Sequence, residues 1–121
     1  MKLVKSNPES QALVNDLVQR LNDKKGLDVV VVDLAGRATF TDFFVIATGT
    51  STTHVAALAS EVDLFAHERK IRVRGVEGLP ECFWVLLDLG DVLVHIFLQE
   101  TREFYNLEKL WSPKVRQAVE A

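Results

Sequence analysis

Apolar positions along the chain change period several times, and each change marks an element. Leu13, Val14, Leu17, Val18 and Leu21 recur on one helical face. Asn7-Pro8-Glu9 precedes them with an N-cap candidate, a proline for the first helical position and an early acid. Lys24 and Lys25 complement the C-terminal dipole end of that helix, and Gly26 is placed to stop it. Asp28 to Leu34 and Asp42 to Thr48 are β-branched or aromatic runs of strand length, joined by a connection from Ala35 to Thr41. A second helical stripe follows in Val55, Leu58, Ala59, Val62, Phe65 and Ala66. Ile71 to Val76 alternates apolar and basic residues, which predicts a half-exposed strand, and Gly75 to Pro80 reads as a loop.

Phe83 to Leu98 is the stretch that organises the rest. Two apolar runs flank Leu89-Gly90-Asp91, and a Gly-Asp pair there predicts a type II′ hairpin with Gly90 at positive φ. The register follows: Leu89 opposite Val92, Leu87 opposite Val94, Val85 opposite Ile96 and Phe83 opposite Leu98, an apolar face throughout. The other face carries Asp88 with Leu93, Leu86 with His95, and Trp84 with Phe97. That face is neither an unbroken hydrophobic run nor mostly polar. Either it docks another macromolecule through aromatic anchors and polar groups that set register, or a C-terminal helix covers it.

Beyond the hairpin, Phe104, Leu107, Leu110 and Trp111 have helical spacing, leaving Tyr105, Glu108 and Lys109 off the stripe. Ser112-Pro113 signals a further start, so a last short helix is expected over Pro113 to Glu120.

Composition narrows the classes. The 121 residues are 48% hydrophobic and 26% charged, which suits one domain over residues 1–121. A formal charge of −3 with scattered Lys and Arg supplies no nucleic-acid footprint and favours a basic protein partner instead. The single Cys82 excludes an internal disulfide and a multi-cysteine metal site, and reads as a small buried hydrophobe. No signal peptide or membrane-spanning run is apparent, so a soluble, cytoplasmic protein is expected. His54 and His67 lack a partner at zinc-ligand spacing, and His95 reads as a hydrogen-bonded sheet residue.

Gly49-Thr50-Ser51 between a strand and a helix is where phosphate chemistry would sit. With Glu61-Val62-Asp63 downstream, Gly49-Thr50 resembles the opening of a metal-dependent nucleotidyltransferase, the alternative function. Its geometry is unfavourable, because residues i and i+2 on a helix are separated by about 200°. Glu61 and Asp63 then flank the Val62 stripe on opposite sides and cannot share a metal, while Thr50 to Thr53 cap the helix. Arg72 and Arg74 could meet phosphate, or stand as solvated charge.

DFFVIATGTSTTHV (Asp42 to Val55), VEG (Val76 to Gly78), WVLLDLGDVLVHIF (Trp84 to Phe97) and REFYNLEKLW (Arg102 to Trp111) occur in that order. Together they resemble the ribosomal silencing factor family, also called Iojap-like or RsfS, from roughly Leu13 to Trp111. The resemblance implies an α/β fold with a mixed sheet of about five strands and flanking helices, related to nucleotidyltransferases without their catalytic acids. It implies a binding role with no catalysis, cofactor, metal or small-molecule substrate. Family members bind the fourteenth protein of the large ribosomal subunit and block joining of the two subunits, lowering translation when nutrients are scarce.

By the same resemblance, Trp84, Asp88 and His95 match the family's tryptophan, acid and histidine, and Tyr105 and Lys109 match its C-terminal tyrosine and lysine. Leu93 shares the hairpin face, completing the expected partner surface. Thr53 replaces the family's usual arginine before the histidine, which bears on a peripheral ribosomal RNA contact, and Phe43 stands where tyrosine is common. An uncovered apolar face further predicts a homodimer when the partner is absent.

Overall fold

The computed structural model describes residues 8–34, 41–105 and 115–117. In chain order the elements are α1 (Pro8–Asp23), β1 (Leu27–Asp33), β2 (Phe43–Gly49), α2 (Thr52–Glu68), β3 (Gly75–Glu77), β4 (Trp84–Asp88), β5 (Val92–Leu98), α3 (Gln99–Tyr105) and β6 (Val115–Gln117). The strands form one mixed sheet in the order β3-β4-β5-β2-β1-β6. Only β2 and β5 run parallel, and every other neighbouring pair is antiparallel.

Both apolar helical stripes lie on one face of this sheet. Val14, Leu17 and Leu21 of α1 and Leu58, Val62 and Phe65 of α2 are buried against Val45, Val85, Leu87, Val94 and Ile96. Arg20 ties the two helices together, meeting Glu61 at 2.6 Å and Glu68 at 2.8 Å, and Arg69 pairs with Asp16. The guanidiniums of Arg20 and Arg69 both lie over the Phe65 ring, so the network also covers apolar surface. On the opposite face Val30, Val32, Leu34, Phe44, Ile46 and Phe97 form a second cluster, with Trp84 and Leu93 packed at its margin.

The mixed α/β sheet agrees with the expected fold, with a sixth strand beyond the five. Val115–Gln117 pairs antiparallel with β1, so no helix runs through Pro113 to Glu120 as the Ser112-Pro113 start signal predicted. Local periodicity there rests on few apolar residues, and the open edge of β1 overrides it. Ile71 to Arg74 is not a paired strand, whereas Gly75–Glu77, expected as loop, is. Ile71 and Val73 do turn inward against the core, so the alternation reported sidedness rather than pairing. The first part of the helix expected over Thr101 to Trp111 appears as α3, beginning at Gln99. Residues 106–111, with Leu107, Lys109, Leu110 and Trp111 among them, fall outside the described residues.

The end of α1 also differs in detail. Gly26 N–H bonds Leu21 O at 2.8 Å and Lys25 N–H bonds Asn22 O at 2.9 Å, a Schellman motif in which the left-handed residue is Lys25, at φ 67, not Gly26. Lys70, at φ 58, ends α2 in the same way.

Candidate functional site

The hairpin adopts the register that its turn dictates. Leu89 N–H bonds Val92 O at 2.9 Å, Gly90 has φ 89, and Asp88 Oδ1 accepts Gly90 N–H at 2.9 Å. Asp88 thus braces the turn from within. Pairing then sets Trp84 opposite Phe97, Leu86 opposite His95 and Asp88 opposite Leu93 on the face away from α1 and α2. Of the expected apolar pair at the hairpin's open end, Leu98 packs on the core and Phe83 is exposed.

On that second face the aromatic groups form one assembly. Trp84 Nε1–H donates to His95 Nδ1 at 3.0 Å, and the indole lies 4.8 Å from the Phe97 ring. Phe44 meets the imidazole edge-on at 4.6 Å. His95 is only 5% exposed, and burial holds its pKa down at about 4, so the ring is neutral near pH 7. Because Nδ1 accepts from Trp84, the proton sits on Nε2, which has no hydrogen-bond partner among the described residues. Trp84, Leu86, Asp88 and Leu93 are half-buried around it.

The structure therefore brings Trp84, Asp88, Leu93 and His95 to one face, with His95 beneath the surface holding the indole. Tyr105 is the last residue of α3, and Lys109 falls outside the described residues. One contributor escaped the sequence reading. Arg102 of α3 is buried and donates through Nη1 to Asp28 O at 2.6 Å and Thr48 Oγ1 at 2.7 Å, fastening α3 to β1 and β2. Asp28, at φ 47, lies in a bulge of β1 that turns its carbonyl to this arginine. Nothing in the local pattern marks Arg102 beyond its place at the head of the C-terminal motif.

The residues of the alternative function are not brought together. Glu61 is committed to Arg20 and Lys24 between the helices, while Asp63 is exposed beside Val76 and Leu79. A Cβ on Gly49 would sit 2.7 Å from Val55 Cγ2, so this glycine serves close packing of β2 on α2. The helix start is satisfied internally: Ser51 Oγ accepts His54 N–H at 3.1 Å, and His54 Nδ1 accepts Thr50 N–H at 2.9 Å. Among the described residues no group of three or more His, Cys, Asp or Glu could hold a metal ion, and no helix is long and apolar enough to cross a membrane. Cys82 is buried, with Sγ 2.8 Å from Leu79 O.

The sequence model of the family described as "ribosomal silencing factor during starvation", RsfS, matches residues 7–121. The chain belongs to the RsfS family. It is 42% identical over 102 residues to ribosomal silencing factor RsfS of Halalkalibacterium halodurans, covering 84% of this chain and 87% of that protein. It is 34% identical over 105 residues to the mouse "mitochondrial assembly of ribosomal large subunit protein 1", covering 82% of this chain and 45% of that protein. The X-ray structure of a Chromobacterium violaceum protein aligns with a TM-score of 0.82 at 35% identity, covering 92% of this chain and 93% of that one. RsfS proteins are ribosomal silencing factors.

Proposed function

We propose that this protein binds the large ribosomal subunit through its fourteenth protein and, by occupying that surface, blocks joining of the small subunit. Translation then falls without any chemical step. The observation that carries this reading is the Trp84 indole, half-buried, packed at a tilt against Phe97 and fixed by the buried His95. A large aromatic group locked in one orientation, with an apolar body and a desolvated margin, is what a binding hot spot requires. Leu93 and Asp88 flank it, and Tyr105 and Lys109 complete the surface from the C-terminal segment. The protein acts among cytoplasmic ribosomes, any ribosomal RNA contact is peripheral, and free copies pair as homodimers.

Co-sedimentation with separated ribosomal subunits tests it. Migration with the large subunit alone, together with loss of re-associated ribosomes when the protein is added, is the expected outcome. A protein that stays at the top of the gradient with both subunits would refute the reading.

A further inference from the structure

Among the described residues the sheet ends at β3, and all three residues of that strand are exposed. Leu89 donates to Val92, so the odd-numbered residues of β4 direct their backbone groups at β5. Val76 stands opposite Leu87 and therefore points its own N–H and C=O away from β4, into the open edge. An unpaired edge of this kind is a template for one more strand.

Beside the edge runs a groove of about 260 Å³, lined by Ala59, Ser60 and Asp63 of α2 and by Val76, Leu79 and Leu87. Leu79 is 47% exposed, as is Leu64, which shares a helix face with Ser60 and Asp63 by its spacing. An edge strand next to an apolar groove walled by a helix receives extended peptides: the edge supplies main-chain hydrogen bonds and the groove takes alternate side chains. Arg72 and Arg74 lie toward the hairpin turn, and past them each face of the edge carries a carboxylate. Asp63 lines the groove, Glu77 is exposed on the opposite face of β3, across from Leu86, and neither is ion-paired among the described residues.

We infer that the β3 edge takes, as an added strand, an extended segment of a protein partner in which apolar residues alternate with lysine or arginine. The apolar residues enter the groove against Val76 and Leu79, and the cations, on the other face of the added strand, meet Glu77. The groove half of this contact is separate from the Trp84 surface. Val76 lies on the α1–α2 side of the sheet with Leu87, whereas Trp84 lies on the other.

The test titrates isotope-labelled full-length protein with an amidated heptapeptide alternating lysine and valine, and with a counterpart in which glutamate replaces each lysine. Saturable amide shifts confined to Ser60–Leu64 and Gly75–Leu79 are expected with the basic peptide, and binding at least about tenfold weaker with the acidic one. Val76→Pro removes the outward N–H and the Val76 wall of the groove without touching a bond to β4, so it should abolish the shifts while leaving the melting temperature unchanged. Glu77→Lys, on the exposed face of the edge strand, should weaken the basic peptide about tenfold and gives a second variant should the proline disturb the edge. Three results overturn the proposal: no shifts at these residues, equal shifts with both peptides, or shifts that track protein concentration without peptide. The last would assign the edge to a second copy of the chain.

Discussion

Trp84 and His95 face each other diagonally across the hairpin, the half-buried indole N–H donating to the buried imidazole Nδ1 at 3.0 Å. The accessible residue is the one a partner meets, and the hidden residue decides how it is presented. Trp84→Ala should therefore leave the protein folded and weaken large-subunit binding by about 2 kcal/mol or more, measured by co-sedimentation at graded concentration. A collapse of thermal stability in the free variant would place the indole in the core and sink the interface assignment.

His95 makes stability depend on pH. Burial lowers its pKa from the ordinary 6.5 to about 4, so between those values the unfolded chain binds the proton that the folded chain refuses. Its contribution is complete above about pH 6.5 and is lost as the pH falls toward 4, a ceiling of about 3 kcal/mol at 1.36 kcal/mol per unit. Asp42 acts in the opposite sense, because burial, then Asp91 and Asp33, raise the pKa of its carboxyl and favour folding in acid. Urea unfolding midpoints should drop across this window, and His95→Phe should flatten most of the slope.

Arg102 tests whether the C-terminal element must be anchored. Arg102→Ala removes charged hydrogen bonds to Asp28 O and Thr48 Oγ1, and each such bond contributes about 1.5–3 kcal/mol. The variant should melt at lower temperature and bind the subunit more weakly, since Tyr105 ends the helix that Arg102 fastens. Binding unchanged in a folded variant would separate α3 from the partner surface.

Lys25 and Lys70 occupy left-handed positions, φ 67 and φ 58, at the ends of α1 and α2. A side chain there costs about 1 kcal/mol that glycine does not. Lys25→Gly and Lys70→Gly should each raise stability by about that amount in urea unfolding, with subunit binding unaffected.

The hairpin was legible because Gly90-Asp91 fixes a register, and a register fixes both faces. The separation of Glu61 from Asp63 was legible too, since helical rotation alone decides it. What stayed hidden depends on residues far apart in sequence. Period two told that His95 faces the second surface, not that Phe44 would close over it. Glu61 finds Arg20 on another helix, and Arg102 finds a carbonyl at the start of β1. The three residues of β6 carry no pattern of their own, and the edge of β1 gives them their conformation.

The parallel pairing of β2 with β5 governs when the molecule can exist. Phe43 to Gly49 pair with Val92 to Leu98, and α2, β3 and β4 must all be made in between. No N-terminal portion of the chain can close its own sheet, because β5, the strand between β2 and β4, comes late. During synthesis, then, Trp84 has no His95 to hold it until the polypeptide is complete through the last strand of the hairpin and that strand has left the exit tunnel. The hydrogen bond and the ring contact that present the indole are thus delivered by the second arm of the hairpin, and the Trp84 surface is born in one step with β5.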